Sequence, residues 1–343
     1  MTGYVIPKRL RVERVYRLEP PDRIPFVPAI YEHKARLIGR TPSEICRNPE
    51  LLRAALEREL AVYDPDMLVV GVDVYNVEAE ALGCQVRYFD DAPAVPAITR
   101  PLLEGPGDLA KLRLPDPETD GRMPLHLEVA GALVRDHGAE MIIRGAVIGP
   151  YSLASELAGP EKLAMAAVEA PGFTRELLAF AGRVTARYGA AFLRRGAEAI
   201  LFDSRAAPPL LSPRLFRELV LPVYRDHVIP ELKAAGARYL PLIIGGDTTR
   251  ILGDLLATGA TQVLCDAPAD LDAFKRACAA AGVPFRANVD ARLIHRGPPE
   301  AIREEALRLA ARCRDFPGFL LGCGIVAYDC PPEHVLALRG ALG

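Results

Sequence analysis

The chain has 343 residues, enough for one large barrel or for two smaller domains. Half of the residues are hydrophobic and the formal net charge is −2, so a large core can form and no basic excess favours nucleic acid. No apolar run approaches the roughly 20 residues that span a bilayer, and the N-terminal segment lacks an apolar core of signal-peptide length. We therefore expect a soluble, cytoplasmic protein.

Eight short apolar runs, rich in β-branched residues, predict β-strands along the chain. They cover residues 25–30, 66–73, 140–147, 197–204, 238–246, 261–266, 284–290 and 319–324. Segments with helical periodicity lie between most of these runs. Strand–helix alternation repeated in this way is typical of the α/β class and of a (β/α)8 TIM barrel. We predict a single TIM-barrel domain over residues 1–343, with a short N-terminal helical extension over residues 1–24.

The predicted helices fill the intervals between these strands. The first lies at residues 8–18, and the second spans residues 43–63 with Ser43 as a candidate N-cap. Residues 84–139 are too long for a simple crossover and predict an elaborated second loop, with a short hairpin before a helix. Two helices are expected within residues 160–196, and further helices at 212–236, 248–258, 270–281 and 298–314.

Residues capable of chemistry stand at the ends of the predicted strands. In a TIM barrel the active site lies at the carboxyl ends of the strands, so we expect these residues to converge. In chain order they include Tyr31, Glu32, His33, Asp73, Tyr75, Asn76, Glu78, Tyr151, Ser152, Asp203, Ser204, Arg205, Asp247, Asp266, Asn288, Asp290 and Cys323. Structural alternatives remain open, because Asp247 and Asp290 could each cap a following helix and His33 could be a surface histidine.

Seven cysteines, scattered and without a CxxC pair, predict reduced thiols rather than a disulfide framework. Cys323 differs from the others because glycines flank it at the end of the last predicted strand, where a ligand could approach closely.

Several segments resemble the uroporphyrinogen decarboxylase superfamily, which also contains corrinoid-dependent methyltransferases of the methylcobamide:coenzyme M type. The segments include GVDVYNVEAEALGCQV (71–86), GPYSLASELAG (149–159), GGDTTRIL (245–252) and LGCGIVAYDCPPEHVLAL (321–338). The similarity runs from about residue 24 to the C-terminus. It implies a (β/α)8 barrel with a deep polar cleft, often in a homodimer.

Two branches of this superfamily differ at informative positions. The decarboxylases carry an arginine-rich N-terminal segment that grips carboxylates, whereas FVPAIYEHKARLIG (26–39) has one arginine and one lysine. They also carry a histidine where LGCGI places Cys323. The FDS segment with Asp203 does match them, and a cleft aspartate of theirs falls near Asp73. The EAEALGC segment (78–84) is more similar to the methyltransferases.

The methyltransferase branch implies a zinc site built from an HxC pair and a late cysteine. Here the HxC positions are Ile243 and Gly245, and Cys323 or its neighbour Gly324 matches the late cysteine. Any metal would therefore need other ligands. The best candidates among the strand ends are His33, Glu78, Asp247 and Cys323.

The first functional hypothesis is methyl transfer between a corrinoid protein, or a folate-like carrier, and an acceptor. The corrinoid (cobamide) would be carried by a partner protein, and zinc would be bound if ligands are recruited. We predict Asp73, Asp203 and Cys323 as catalytic residues. The predicted substrate-binding residues are Tyr75, Asn76, Tyr151, Arg205, Asp247 and Asn288. The alternatives are a uroporphyrinogen-type decarboxylase, in which Asp73 stabilises a cationic intermediate, and a non-catalytic barrel that binds a tetrapyrrole or corrinoid.

Overall fold

A curled sheet of seven parallel strands forms the centre of the computed structural model, which describes residues 6–343 without the side chain of Pro106. The first five residues of the predicted extension (1–24) lie outside the described residues. The parallel strands are β1 (Met67–Val70), β4 (Ile142–Ile148), β5 (Glu198–Phe202), β6 (Pro241–Ile243), β7 (Gln262–Cys265), β8 (Phe285–Val289) and β9 (Phe319–Cys323), hydrogen-bonded in that order. An antiparallel hairpin of β2 (Gln85–Arg87) and β3 (Ala97–Arg100) lies within the second loop.

The segment 25–30 closes the sheet into a barrel, between β9 and β1. Phe26 forms a parallel bridge with Leu321, and the Val27 N–H donates to the Leu321 carbonyl at 2.9 Å. On the other side the Asp66 N–H donates to the Phe26 carbonyl at 2.9 Å, and the Asp66 carboxylate accepts the Phe26 N–H at 2.7 Å. In place of the predicted first strand the structure has only this bridge, because the prolines in PFVPAI have no backbone N–H to donate to a neighbouring strand. The predicted (β/α)8 barrel is confirmed, and this segment takes the place of its eighth strand.

Helices follow the strands in the predicted alternation and pack around the sheet. The longer ones are Lys8–Tyr16, Pro49–Tyr63, Met123–His137, Pro150–Ala158, Pro160–Glu169, Pro171–Arg194, Leu271–Ala281, Pro299–Cys313 and Pro332–Gly340. Shorter helices are His33–Arg36, Pro42–Ile45, Val77–Ala81, Leu252–Ala257 and Ala291–Arg296. Residues 213–234 are helical throughout, with π-helical stretches at Phe216–Val220 and Tyr224–Val228. Within residues 6–343, no helix is both long and apolar enough to cross a bilayer.

The predicted helix over residues 43–63 is wrong in one respect, because the chain breaks it into two. Thr41, rather than Ser43, caps the first part by accepting the Glu44 N–H at 3.1 Å. Pro49 starts the second part, where a missing N–H is harmless, and Asn48 caps it by accepting the Leu51 N–H at 2.9 Å.

Alternate residues of each strand face the interior of the barrel, which we call the lumen, and the others face the helices. The large apolar core lies between sheet and helices and includes Leu201, Leu242, Ala287 and Cys323. Two smaller clusters fill the lumen. The one at the amino ends of the strands contains Val12, Val15, Val27, Met67, Ile142 and Leu320, and the one at the carboxyl ends contains Ala29, Tyr31, Val74, Ile200, Phe202, Ile243 and Leu264.

The helix Lys8–Tyr16 closes the amino end of the lumen. Its Tyr16 hydroxyl donates to Gln262 Oε1 at 2.6 Å and accepts from Arg144 Nη2 at 2.7 Å. Burial raises the pKa of Tyr16 to about 12, so the hydroxyl keeps its proton for this bond. The amino end of the lumen is therefore closed by this helix and its hydrogen bonds.

Candidate active site

Polar side chains cluster at the carboxyl end of the lumen, on neighbouring strands β7 and β8. Asn288 is 5% exposed and lies on β8, two residues after Arg286, so both side chains face the lumen. Asp266 directly follows β7 and is half-buried. Asn288 was predicted from the sequence as a substrate-binding residue. Arg286 was not, although an arginine within the run PFRANVD and in phase with Asn288 is the signal that could have revealed it.

Asp266 fixes the orientation of Asn288. The amide nitrogen Nδ2 of Asn288 donates to Asp266 Oδ1 at 2.9 Å, and Asp266 Oδ2 accepts the Gly246 N–H at 2.8 Å. Because an ionised carboxylate only accepts, the amide must turn its nitrogen towards Asp266. The carbonyl oxygen Oδ1 of Asn288 is then directed elsewhere, and it is buried without a hydrogen-bond partner.

Arg286 brings a buried guanidinium to the same face of the lumen. The residue is 3% exposed, and its Nε lacks a hydrogen-bond partner. Its positive charge is close enough to act on two neighbours, Tyr31 and Cys323. Burial raises the pKa of both groups, and the Arg286 charge partly opposes the rise in each.

An apolar wall surrounds these polar groups. The rings of Tyr31 and Phe202 meet edge to face with centroids 5.6 Å apart, and Ile243 and Leu264 complete the wall. Near its rim the Tyr75 hydroxyl lies beside Ser204, and burial raises the pKa of Tyr75. Ser204 Oγ also accepts the Gly245 N–H at 3.1 Å. The site therefore combines a few directed polar groups with apolar walls, as small-molecule sites commonly do.

Asp203 follows β5 on the side that faces the helices. Its carboxylate accepts the N–H groups of Tyr151 and Ser152, at 3.3 and 2.6 Å, and the hydroxyl of Tyr224 at 2.8 Å. It thus caps the helix Pro150–Ala158, whose own N-cap, Gly149, has no side chain. Asp203 is fully buried, and its carboxylate is held by Tyr151, Ser152 and Tyr224.

Asp73, the second predicted catalytic carboxylate, is held by Arg122. The guanidinium contacts Asp73 through Nη1 at 3.0 Å and Nη2 at 2.7 Å, and its Nε contacts Glu80. Asn76 Nδ2 lies 3.4 Å from Asp73 Oδ2 and also donates to the Pro96 carbonyl. Asp73 is therefore a buried, neutralised carboxylate that ties the second loop to the barrel.

His33 and Glu78, two of the predicted metal ligands, are each occupied by other partners. His33 Nε2 lies 2.7 Å from the Tyr63 hydroxyl, and Nδ1 lies 3.0 Å from the Ala327 carbonyl. Burial lowers the pKa of His33 and keeps the ring neutral. Glu78 accepts the Ile148 N–H at 2.8 Å, and burial raises its pKa to about 8.

Cys323 and Asp247, the other two predicted ligands, point away from the lumen. Cys323 packs in the core between sheet and helices, and burial raises its pKa to about 12. Asp247 is exposed and accepts the N–H of Thr249 at 3.1 Å and its hydroxyl at 2.6 Å in a local turn, while Thr248 is the N-cap of the short helix that follows. All seven cysteines are buried.

The four predicted metal ligands are therefore not brought together. In the described part of the chain, no three His, Cys, Asp or Glu side chains are grouped to hold a metal ion. Ile243, at one of the two HxC positions, belongs to the apolar wall of the lumen. The side chains present do not fit the implied zinc site. Asp73, Asp203, Asp247 and Cys323, which are predicted to converge on one pocket, each have a separate set of contacts.

Tyr151 and Arg205, both predicted to bind substrate, line a cavity outside the lumen. It has a volume of about 230 Å³ and is also lined by Ser155, Glu161 and Leu210. Arg205 forms an ion pair with Glu156 there. This cavity adjoins the rim of the barrel, so we treat it as a neighbour of the lumen site.

The comparisons with known proteins agree with this architecture. A profile of the family described as uroporphyrinogen decarboxylase (URO-D) matches residues 7–342. The chain belongs to the uroporphyrinogen decarboxylase family. Among solved structures, a methyltransferase from Methanosarcina mazei superposes with a TM-score of 0.85 at 22% sequence identity, and 98% of each chain is covered. At this identity the likeness shows the fold.

Methyltransferases are among the curated relatives within the uroporphyrinogen decarboxylase family. The methylcobamide:CoM methyltransferase MtbA of Methanosarcina acetivorans is 27% identical over 280 residues, 79% of each chain. The methylated-thiol–coenzyme M methyltransferase of Methanosarcina mazei is 30% identical over 152 residues, 44% of this chain and 40% of the relative.

Proposed function

We propose that this protein transfers a methyl group from a methylated corrinoid, carried by a partner protein, to a small acceptor bound in the lumen. Its similarity to methylcobamide:CoM methyltransferases over 79% of the chain supports the reaction class. The geometry of the lumen supports a small acceptor.

The burial of the polar groups is the observation that carries this proposal. Arg286 is 3% exposed and Asn288 is 5% exposed, and the rings of Tyr31 and Phe202 meet within the apolar cluster at the same end of the lumen. A small molecule needs little room to reach such groups. A tetrapyrrole macrocycle with several carboxylates would need a wide cleft with several exposed cations, so the decarboxylase alternative receives less support.

A methylated corrinoid supplies a methyl group that leaves cobalt without its bonding electron pair, so the acceptor atom must provide the pair for the new bond and release any proton it carries. The protein's own residues bind and orient that acceptor. Arg286 provides positive charge, Asn288 provides a directed carbonyl oxygen, and Asp266 holds the amide in place. The apolar wall excludes water from the reacting atoms.

The test is an anaerobic assay with methylcobalamin in place of the carrier protein. Coenzyme M and other small thiols are offered as acceptors, and the loss of methylcobalamin absorbance is followed together with the mass of the methylated product. We expect acceptor-dependent demethylation. A parallel incubation with uroporphyrinogen is expected to yield no decarboxylated product; decarboxylation without methyl transfer would overturn the proposal. Ligand binding with neither reaction would instead favour the non-catalytic alternative.

The proposal also includes a docking site for the partner and an oligomeric state. The corrinoid partner is expected to dock at the carboxyl end of the barrel, the end left open by the helix Lys8–Tyr16. A homodimer is expected from the family resemblance, and sedimentation of the purified chain measures it.

A further inference from the structure

We propose that Arg286 selects the acceptor, and that the acceptor is a small molecule with an anionic head: a carboxylate, a sulfonate or a phosphonate. This inference rests on the proposed function, since it names the class of molecule bound at the same site.

Arg286 differs from the other cationic side chains buried in residues 6–343. Arg11 pairs with Asp22 and Asp66, Arg122 with Asp73 and Glu80, and Lys34 with Glu59. Arg144 contacts the Tyr16 hydroxyl. For Arg286, by contrast, no ion pair or hydrogen bond with another described residue is formed, and its Nε is buried without a partner.

A buried guanidinium without a counter-ion is unfavourable for folding. An isolated buried charge costs several kcal/mol, and an arginine stays charged inside proteins. A protein that keeps such a group at the carboxyl end of the lumen gains from it when an anion binds there. The planar fork of the guanidinium matches a carboxylate, a sulfonate or a phosphonate with two parallel hydrogen bonds.

Asn288 gives a second, independent sign of a ligand. Its Oδ1 is buried without a partner, while its Nδ2 is held by Asp266 at 2.9 Å. Arg286 and Asn288 occupy alternate positions of β8 and so face the same space. The acceptor therefore carries a hydrogen-bond donor for Asn288 in addition to its anionic head for Arg286.

The neighbouring strand leaves room for the arginine. Asn288 is in register with Gly322 of β9. A Cβ atom at Gly322 would lie 3.3 Å from Cδ of Arg286 and 2.1 Å from the Val27 carbonyl oxygen. Glycine at this position lets the Arg286 side chain run along the inner surface of β9.

Matched probes separate charge from shape. Coenzyme M and 3-mercaptopropionate carry a thiol and an anionic head, and 2-mercaptoethanol carries the thiol with a neutral hydroxyl. We expect calorimetry to show both anions binding wild-type protein roughly ten- to a hundredfold more tightly than 2-mercaptoethanol. Arg286→Met should remove this difference and leave the binding of 2-mercaptoethanol unchanged. Arg286→Lys should retain part of the preference. Arg308→Met, on the outer helix Pro299–Cys313, should leave it intact.

The stability of the variants gives a readout that needs no ligand. Because Arg286 lacks a counter-ion in the free protein, Arg286→Met should unfold in urea at the same concentration as wild type or at a higher one. Strong destabilisation by Arg286→Met would show a structural role and overturn the inference. Equal affinity of wild type for neutral and anionic probes would overturn it as well.

The two proposals fail in distinguishable ways. Binding of anionic probes is measured without a corrinoid, so selective binding without methyl transfer would reject the proposed function alone. Methyl transfer that uses neutral and anionic thiols equally, with KM unchanged in Arg286→Met, would reject the role of Arg286 and keep the function.

Discussion

Both terminal nitrogens of Arg122 donate to the Asp73 carboxylate, Nη1 to Oδ1 at 3.0 Å and Nη2 to Oδ2 at 2.7 Å. The two side chains are almost fully buried. The pair joins the start of the helix Met123–His137 to the end of β1. It thereby fixes the long second loop, with its hairpin, against the barrel.

Removing one partner of this pair should be costly. We expect Arg122→Met to destabilise the protein by about 3–5 kcal/mol, because Asp73 is left as an uncompensated buried charge. The double variant Arg122→Met, Asp73→Asn should recover part of that loss. Urea unfolding of both single variants and the double variant measures the coupling. Additive losses would show that the two side chains do not act as a pair.

Asp203→Asn should reveal a structural carboxylate. Oδ1 of Asp203 accepts from the Ser152 N–H and Oδ2 accepts from the Tyr224 hydroxyl, and the substitution replaces one of these oxygens with an NH2 group that can only donate. We therefore expect a loss of about 2–4 kcal/mol in unfolding free energy. The exposed Asp247→Asn is the matched control and should change stability by less than about 1 kcal/mol. Wild-type stability in Asp203→Asn together with lost ligand binding would contradict the assignment.

Glu78 should make stability depend on pH. Burial raises its pKa to about 8 from 4.5, so the folded protein holds this proton more tightly than the unfolded chain. The stabilisation is present below about pH 4.5 and is lost as the pH rises towards 8. We expect Glu78→Gln to flatten the fall in urea-unfolding free energy across this interval by up to a few kcal/mol. Glu104→Gln, on the surface, should leave the slope unchanged; the same slope in Glu78→Gln would contradict the prediction.

Gly322→Ala tests the closure of the barrel. The new Cβ would lie 2.1 Å from the Val27 carbonyl oxygen, so β9 and the segment 25–30 would have to separate. We expect a loss of about 1–3 kcal/mol, typical of overpacking. Gly253→Ala, in the helix Leu252–Ala257, meets open space and should be neutral or stabilising by about 0.5–1 kcal/mol. Thermal unfolding compares the two, and equal midpoints would show that the closure tolerates a methyl group.

The order and position of the strands could be predicted from the sequence because each run is short, apolar and bounded by turn residues. Which side chains of each strand face the lumen could not be predicted. Parallel strands buried on both faces are apolar throughout, so no alternation shows which side chains face the lumen. Asp203 and Cys323 were therefore chosen as strand-end residues although both face the helices. A shift of one residue moves a side chain to the other face.

Arg286 and Asn288 show where the phase could have been read. Both are polar residues inside an otherwise apolar run, spaced by two, and both face the lumen. The partners of Asp73 could not be predicted from the sequence for a different reason. Arg122 lies 49 positions away in the sequence, and a local sequence pattern does not predict a pairing at that separation.

The burial of all seven cysteines has a consequence for the proposed transfer of an electrophilic methyl unit. Thiolates are the side chains most readily alkylated by such a unit, and burial raises the pKa of Cys46, Cys323 and Cys84 to about 12, 12 and 11. The native polypeptide therefore offers no competing nucleophile of this kind. The proposed methyl transfer would therefore proceed over many turnovers without alkylation of the protein's own thiols.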